Sequence, residues 1–92
     1  MSDEVFHGTV YFTGHVQGVG FRFTTYQLAK GYEVTGFVKN LPDGRVHLEV
    51  EGQRKECMAF IWALSEEMAG FIRSEERKDG FREPAYRQFV IA

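Results

Sequence analysis

Two glycines and an arginine stand close together in the stretch 15–22, "HVQGVGFR". Gly18 and Gly20 have no Cβ, so the backbone around them can curl and turn successive amide groups toward one point, where an anion binds. Arg22 adds a planar guanidinium with a permanent charge, which matches the oxygens of a phosphate. These residue types at this spacing predict a site for one phosphate-sized anion.

The glycine loop does not match the common nucleotide-binding motifs. "GVG" lacks the third glycine of G-x-G-x-x-G, and no Gly-Lys-Ser/Thr follows it as in a Walker loop. The alternative without a ligand is that Gly18 and Gly20 only permit a tight turn from a strand into a helix, with Arg22 solvated.

Asn40 is a second candidate, at the end of a predicted strand in "GFVKNLPDG". In a split β-α-β arrangement, the strand after the first helix can bring its end near the start of that helix. An amide side chain offers a donor and an acceptor, so it can hold a water in line with a bound phosphoryl or acyl group. The alternative is that Asn40 only satisfies backbone groups where the chain enters a hairpin turn.

Hydrophobic periodicity indicates the elements that must position these residues. Strands are predicted over 7–13, 33–40 and 45–51, helices over 22–32 and 54–68, and a short final strand within 86–92. The stretch 70–80 is ambiguous, because Phe71 and Ile72 can begin a strand but the remainder is charged. Pro42 and Gly44 predict the turn between the second and third strands, since proline presets one backbone angle and glycine supplies a positive φ.

Two elements have a clear core face. The third strand alternates between apolar residues, predicted to be buried, and polar residues, predicted to lie in water: Val46, Leu48 and Val50 against Arg45, His47, Glu49 and Glu51. The second helix carries an apolar stripe that predicts its buried side: Cys57, Phe60, Ile61, Leu64 and Met68. Trp62 lies just off this stripe and is expected to shield an edge of the core. Tyr11 and Phe37 are candidates for the open sheet face.

The order of the elements predicts an α+β fold of the ferredoxin-like split β-α-β type. We expect an antiparallel sheet of four to five strands with two helices on one face, in a single domain over 1–92. This fold carries many functions, so the fold alone leaves the activity open.

Composition narrows the function classes. The net charge of −2 provides no overall basic field for nucleic acid. Cys57 is the single cysteine, which excludes an internal disulfide and favours a small core residue. The chain has no signal peptide pattern and no long apolar run, so we expect a cytoplasmic protein without a membrane segment. The three histidines, His7, His15 and His47, have no metal-ligand spacing, so no metal or cofactor is expected.

The blocks "GHVQGVGFR" and "TGFVKNLPDGRV", in this order, resemble the acylphosphatases. The resemblance spans nearly the whole chain and implies metal-independent hydrolysis of acyl phosphates to a carboxylate and inorganic phosphate. It implies that Arg22 binds the phosphate and that Asn40 orients the attacking water. The phosphate-binding loop is taken as His15, Val16, Gln17, Gly18, Val19 and Gly20.

The sequence departs from that family in several places. Phe37 stands where tryptophan is frequent and Lys39 where arginine is frequent, and both changes keep the chemical character. The region 70–92 matches only loosely. His15 flanks the loop as a candidate base, against the simpler reading of a solvated histidine, and proton transfer is instead assigned to the substrate phosphate.

The expected partners are an acyl phosphate substrate and inorganic phosphate, with a monomeric protein and no nucleic acid. The alternative function is a non-catalytic phosphate- or anion-binding regulatory module on the same fold. An RNA-binding sheet face is disfavoured by the net charge of −2.

Overall fold

Five strands form one sheet, and two helices pack on one of its faces, in the computed structural model, which describes residues 3–92. Along the chain the elements are β1 (Val5–Gly14), α1 (Phe21–Ala29), β2 (Val34–Asn40), β3 (Val46–Gly52), α2 (Arg54–Glu67), β4 (Ile72–Arg82) and β5 (Phe89–Ile91). The strand order in the sheet is β4-β1-β3-β2-β5. This is the predicted ferredoxin-like α+β fold, with one difference: β5 pairs parallel to β2, so the sheet is mixed rather than wholly antiparallel.

The ambiguous stretch after Gly70 is the longest strand, β4, which pairs antiparallel with β1 at one edge of the sheet. Its residues are almost all exposed, so it has no buried side and shows no apolar alternation. The charges that obscured it in the sequence suit an edge strand, since charged side chains discourage pairing with another chain.

The helices agree with the predicted positions, but α1 is shorter than expected. It ends at Ala29, because the following amides bond three residues back, as in Gly31 N–H to Leu28 C=O at 2.9 Å, and the chain tightens into a turn. Tyr32 still packs against the core from that turn. Neither helix within residues 3–92 is long and apolar enough to cross a membrane.

The core lies between the helices and the sheet. The α2 stripe is buried as predicted: Cys57, Phe60, Ile61, Leu64 and Met68. Burial, with the nearby carboxylates of Glu51 and Glu56, raises the pKa of the Cys57 thiol to about 11. The thiol therefore stays protonated at neutral pH, as a packing residue should. The prediction for Trp62 was wrong, since its side chain is 68% exposed and shields nothing.

The prediction that the polar residues of β3 lie in water was wrong for two of them. Glu49 is 8% exposed, because β3 is the central strand and His7 and His47 flank the carboxylate. Nε2 of His47 lies 2.6 Å from Oε2 of Glu49, and Nε2 of His7 contacts Oε1. The ring of Tyr11 stacks on His47 at 4.6 Å. We call Glu49, His7 and His47 the Glu49 cluster.

Glu51 is the second buried carboxylate, 1% exposed, and it holds the connection from β4 to β5 against the sheet. It accepts hydrogen bonds from Nε of Arg82 at 3.0 Å and from the backbone N–H groups of Ala85 at 2.8 Å and Tyr86 at 3.2 Å. These hydrogen bonds fix the path of the chain from β4 to β5, which pairs with β2. Ile91 of β5 thereby lies at the candidate site described next.

Candidate active site

The loop 15–20 connects the end of β1 to the start of α1. Gly18 has φ 79° and Gly20 has φ 76°, both in the left-handed region that favours glycine. Apart from the glycine itself and its neighbours in the chain, no atom lies within 4 Å of the position that a Cβ would take at either residue. The glycines are therefore required by the backbone conformation rather than by crowding, and the space beside them is open to a ligand.

The loop is anchored on both sides. Nε2 of Gln17 donates to the carbonyl oxygens of Leu41 at 2.9 Å and Arg45 at 3.0 Å, which frame the β2–β3 turn. The backbone N–H of His15 donates to the carbonyl of Phe71 at 2.9 Å. Val16 is fully buried in the core. These contacts hold the loop in a set position relative to the end of β2.

A pocket of about 250 Å³ opens beside the loop. We call it the loop pocket. It is lined by Val16, Gly18, Gly20, Phe21, Arg22, Phe23, Asn40 and Ile91. The fold thus brings the glycine loop, the arginine and the asparagine singled out in the sequence to one place. The volume is slightly below the range for drug-sized ligands, roughly 300–1,000 Å³, and suits a small anion.

The loop pocket has a local positive charge although the chain is net acidic. The Arg22 side chain is exposed, and no aspartate or glutamate side chain within residues 3–92 pairs with it. Its Nη1 makes one long hydrogen bond, 3.5 Å, to the backbone oxygen of Ala92. Arg22 lies in the first turn of α1, which holds no acidic residue and whose unpaired N–H groups add a partial positive charge.

Asn40 contributes an unpaired acceptor. It is the last residue of β2, and its Oδ1 is buried with no hydrogen-bond partner anywhere in the described chain, residues 3–92. Buried polar side-chain atoms are mostly paired, and leaving one unpaired costs about 1–3 kcal/mol. Because Asn40 lines the loop pocket, its oxygen has acceptor capacity left for a hydrogen bond from water or a ligand.

The structure separates the candidate loop residues into two groups. Val16, Gly18 and Gly20 line the loop pocket with Arg22 and Asn40, as the sequence analysis placed them. Three others do not line it: His15, Gln17 and Val19. His15 lies at a different depression beside Phe71, the Gln17 side chain faces the hairpin, and Val19 packs partly on the core.

Three residues of the loop pocket were not among the candidate site residues of the sequence analysis: Phe21, Phe23 and Ile91. Phe23 directly follows Arg22, and its position in the first turn of α1 was the available signal. Ile91 lies in the weakly patterned final strand, and no local signal connects it to a loop so far away in sequence.

No cluster of three or more histidine, cysteine, aspartate or glutamate side chains that can hold a metal ion occurs in the part of the chain that the structure describes. His7 and His47 are instead engaged with Glu49.

Known proteins resemble this chain in sequence and in fold. Residues 8–91 match the family model described as Acylphosphatase. An acylphosphatase of Methanospirillum hungatei is 41% identical over 61 residues, covering 66% of this chain and 67% of that protein. One of Archaeoglobus fulgidus is 44% identical over 55 residues, covering 60% and 62%. The matched segments thus span about two thirds or less of these relatives. The crystal structure of acylphosphatase from Bacillus subtilis superposes with a TM-score of 0.84 at 25% identity, covering 95% of this chain and 98% of that one.

Proposed function

Since the chain belongs to the acylphosphatase family, we propose that it hydrolyses the carboxyl–phosphate bond of acyl phosphates to a carboxylate and inorganic phosphate. The observation that carries the proposal is the loop pocket itself. It combines a guanidinium that no aspartate or glutamate side chain among residues 3–92 pairs with, a glycine loop at a helix start, and the unpaired oxygen of Asn40.

Arg22 and the amides around Gly18 and Gly20 hold the phosphate oxygens in this proposal. An acyl phosphate is already activated, so hydrolysis needs positioning and charge stabilisation more than covalent catalysis. A fork of N–H donors fixed beside the phosphorus stabilises the negative charge that accumulates on the phosphoryl oxygens in the transition state.

Asn40 places the attacking water. The water donates a hydrogen bond to Oδ1, and its oxygen attacks phosphorus as the bond from phosphorus to the acyl oxygen breaks. The carboxylate leaves with the electron pair of that bond, and the proton of the water passes to a phosphate oxygen. Because His15 lies outside the loop pocket, the substrate supplies the proton acceptor in this scheme.

The proposal includes neither a metal nor a cofactor, and it assigns the activity to a monomeric, cytoplasmic protein whose single domain spans 1–92. The three site residues at its centre are Arg22, Gly20 and Asn40, which line one pocket and come from two adjacent parts of the fold.

The experiment is phosphate release from benzoyl phosphate and acetyl phosphate, with and without EDTA. We expect hydrolysis that EDTA leaves unchanged and that inorganic phosphate inhibits competitively. The phosphomonoester p-nitrophenyl phosphate serves as the control, since its leaving group is less activated and we expect little turnover. Phosphate binding without hydrolysis of either acyl phosphate would contradict the proposal and assign an anion-binding module instead.

A further inference from the structure

Large apolar side chains are exposed at six positions of the described chain, and two of these line the loop pocket. Phe23 is 62% exposed and Ile91 is 42% exposed. The exposed phenyl ring of Phe23, beside a positively charged site for an anion, contributes little to folding, because it buries little area in the core. Contiguous exposed apolar groups at a pocket are typical of ligand contact.

The two side chains come from different elements, α1 and β5, which contact each other. Phe23 lies one residue after Arg22 in the first turn of α1, where Phe21 points into the core and is 2% exposed. Ile91 of β5 pairs with Val38 of β2. Val38 precedes Asn40 by two residues on that strand. Apolar side chains from two contacting elements therefore line the loop pocket together with Arg22 and Asn40.

We propose that Phe23 and Ile91 form an apolar shelf that binds the acyl group of the substrate. The shelf selects acyl phosphates with aromatic or bulky apolar acyl groups over acetyl phosphate. This inference rests on the proposed function, because it assigns the part of the same site that the phosphoryl group does not occupy.

The chemistry of the substrate supports this assignment. A phosphoryl group held by the loop and Arg22 leaves its acyl substituent to extend toward the rest of the pocket wall, where Phe23 and Ile91 are the large exposed apolar side chains. A phenyl substituent removes much more apolar area from water there than the single methyl of acetyl phosphate. Because the shelf is open to solvent, we expect a moderate selectivity of about tenfold, at the low end of hydrophobic pockets.

The test compares kcat/KM for benzoyl and acetyl phosphate in the wild type, Phe23→Ala and Ile91→Ala. We expect each variant to lose about five- to tenfold for benzoyl phosphate, mostly through KM, and less than twofold for acetyl phosphate. Trp62→Ala is the matched control, because Trp62 is also largely exposed but lies on α2 away from the loop pocket. If both variants kept the wild-type ratio of kcat/KM for benzoyl phosphate to kcat/KM for acetyl phosphate, the shelf would be overturned.

Binding of phosphonates separates the shelf from the proposed hydrolysis. We expect wild type to bind phenylphosphonate about tenfold more tightly than methylphosphonate, and Phe23→Ala to bind the two with similar affinity. This readout needs no turnover, so it holds or fails even if neither acyl phosphate is hydrolysed. Equal affinities in the wild type would contradict the shelf, whereas absent hydrolysis with intact phosphonate selectivity would contradict only the activity.

Discussion

The loop pocket and the Glu49 cluster both contain polar side chains, but they differ in whether those polar groups are paired. Both oxygens of Glu49 contact a histidine, and the carboxylate is almost fully buried. In the loop pocket, no aspartate or glutamate side chain within residues 3–92 pairs with Arg22, and Oδ1 of Asn40 has no hydrogen-bond partner there.

This difference distinguishes stability from function more clearly than residue type does. A histidine–glutamate–histidine arrangement contains groups that can carry out chemistry, yet both oxygens of its carboxylate contact a histidine, and none of the three residues lines the loop pocket. The buried unpaired oxygen of Asn40 costs free energy in the folded protein, and such costs are typical of sites whose partner is a ligand. Substitutions in the two regions should therefore have opposite consequences.

Replacement of Arg22 should have the largest effect on activity. We expect Arg22→Ala to lower kcat/KM for benzoyl phosphate about a thousandfold, because the fixed charge that holds the phosphoryl oxygens is removed. The midpoint of thermal unfolding should not change, since the exposed side chain makes only one long hydrogen bond. Arg22→Lys should recover part of the loss, because it restores the charge without the planar fork. Near-wild-type turnover in Arg22→Ala would contradict the role of Arg22.

Asn40→Ala should lower kcat about a hundredfold with little change in KM, since the residue positions water rather than phosphate. Its thermal stability should be equal to or above that of the wild type, because a buried unpaired oxygen is removed. Gln27→Ala is the control for an amide truncation, on the exposed surface of α1. A clear loss of stability with retained kcat would show that Asn40 only supports the hairpin.

Gln17→Ala should have an intermediate effect on activity, a loss of about tenfold in kcat, because the loop is freed from the hairpin that carries Asn40. Gln17→Glu should lower kcat by the same factor, since a carboxylate cannot donate to the carbonyls of Leu41 and Arg45. Activity of the Glu variant equal to wild type would mean that the two hydrogen bonds do not position the loop. Rates and unfolding midpoints of both variants are compared with the wild type.

Glu49→Gln should have the smallest effect on activity, less than twofold, but should reduce the free energy of unfolding by about 2 kcal/mol at neutral pH. Burial alone raises the pKa of Glu49, but hydrogen bonds with His47, Thr9 and His7 outweigh it and leave that pKa below its ordinary value. Because the folded-state pKa is lower than the unfolded one, the stabilisation is complete above the unfolded pKa. It is lost as the pH falls through the folded pKa.

Denaturant unfolding of wild type and Glu49→Gln from pH 7 down into the acid range measures this dependence. We expect the difference in stability between them to shrink as the carboxylate is protonated. A constant difference over the whole range, or a large loss of activity in Glu49→Gln at neutral pH, would contradict the structural role of the Glu49 cluster.

Local patterns were sufficient to predict the elements and residues whose environment depends on near neighbours. The α2 stripe, the turn at Gly44 and the position of Gly18 and Gly20 before a helix are of this kind. The charged residues of β4 made that strand hard to predict, because an edge strand exposed on both faces needs no alternation of apolar and polar residues. The pattern of the sequence therefore indicates burial best where one side faces the core.

The remaining differences come from contacts between residues distant in sequence. Glu49 and Glu51 occupy alternating polar positions, and their burial depends on His7 from β1 and on Arg82 at the end of β4. Likewise, Ile91 reaches the loop pocket only because β5 adds parallel to β2. Strand register determines these contacts, and a single chain segment contains no signal for it.

Binding of inorganic phosphate to wild type, Arg22→Ala and Asn40→Ala, measured by ³¹P NMR titration at one ionic strength, tests the loop pocket as a phosphoryl site most directly. We expect wild type and Asn40→Ala to bind with the same Kd, and Arg22→Ala to bind at least about tenfold more weakly, since its charge-assisted hydrogen bonds are lost. Equal phosphate affinity in Arg22→Ala and wild type would contradict the assignment of this pocket.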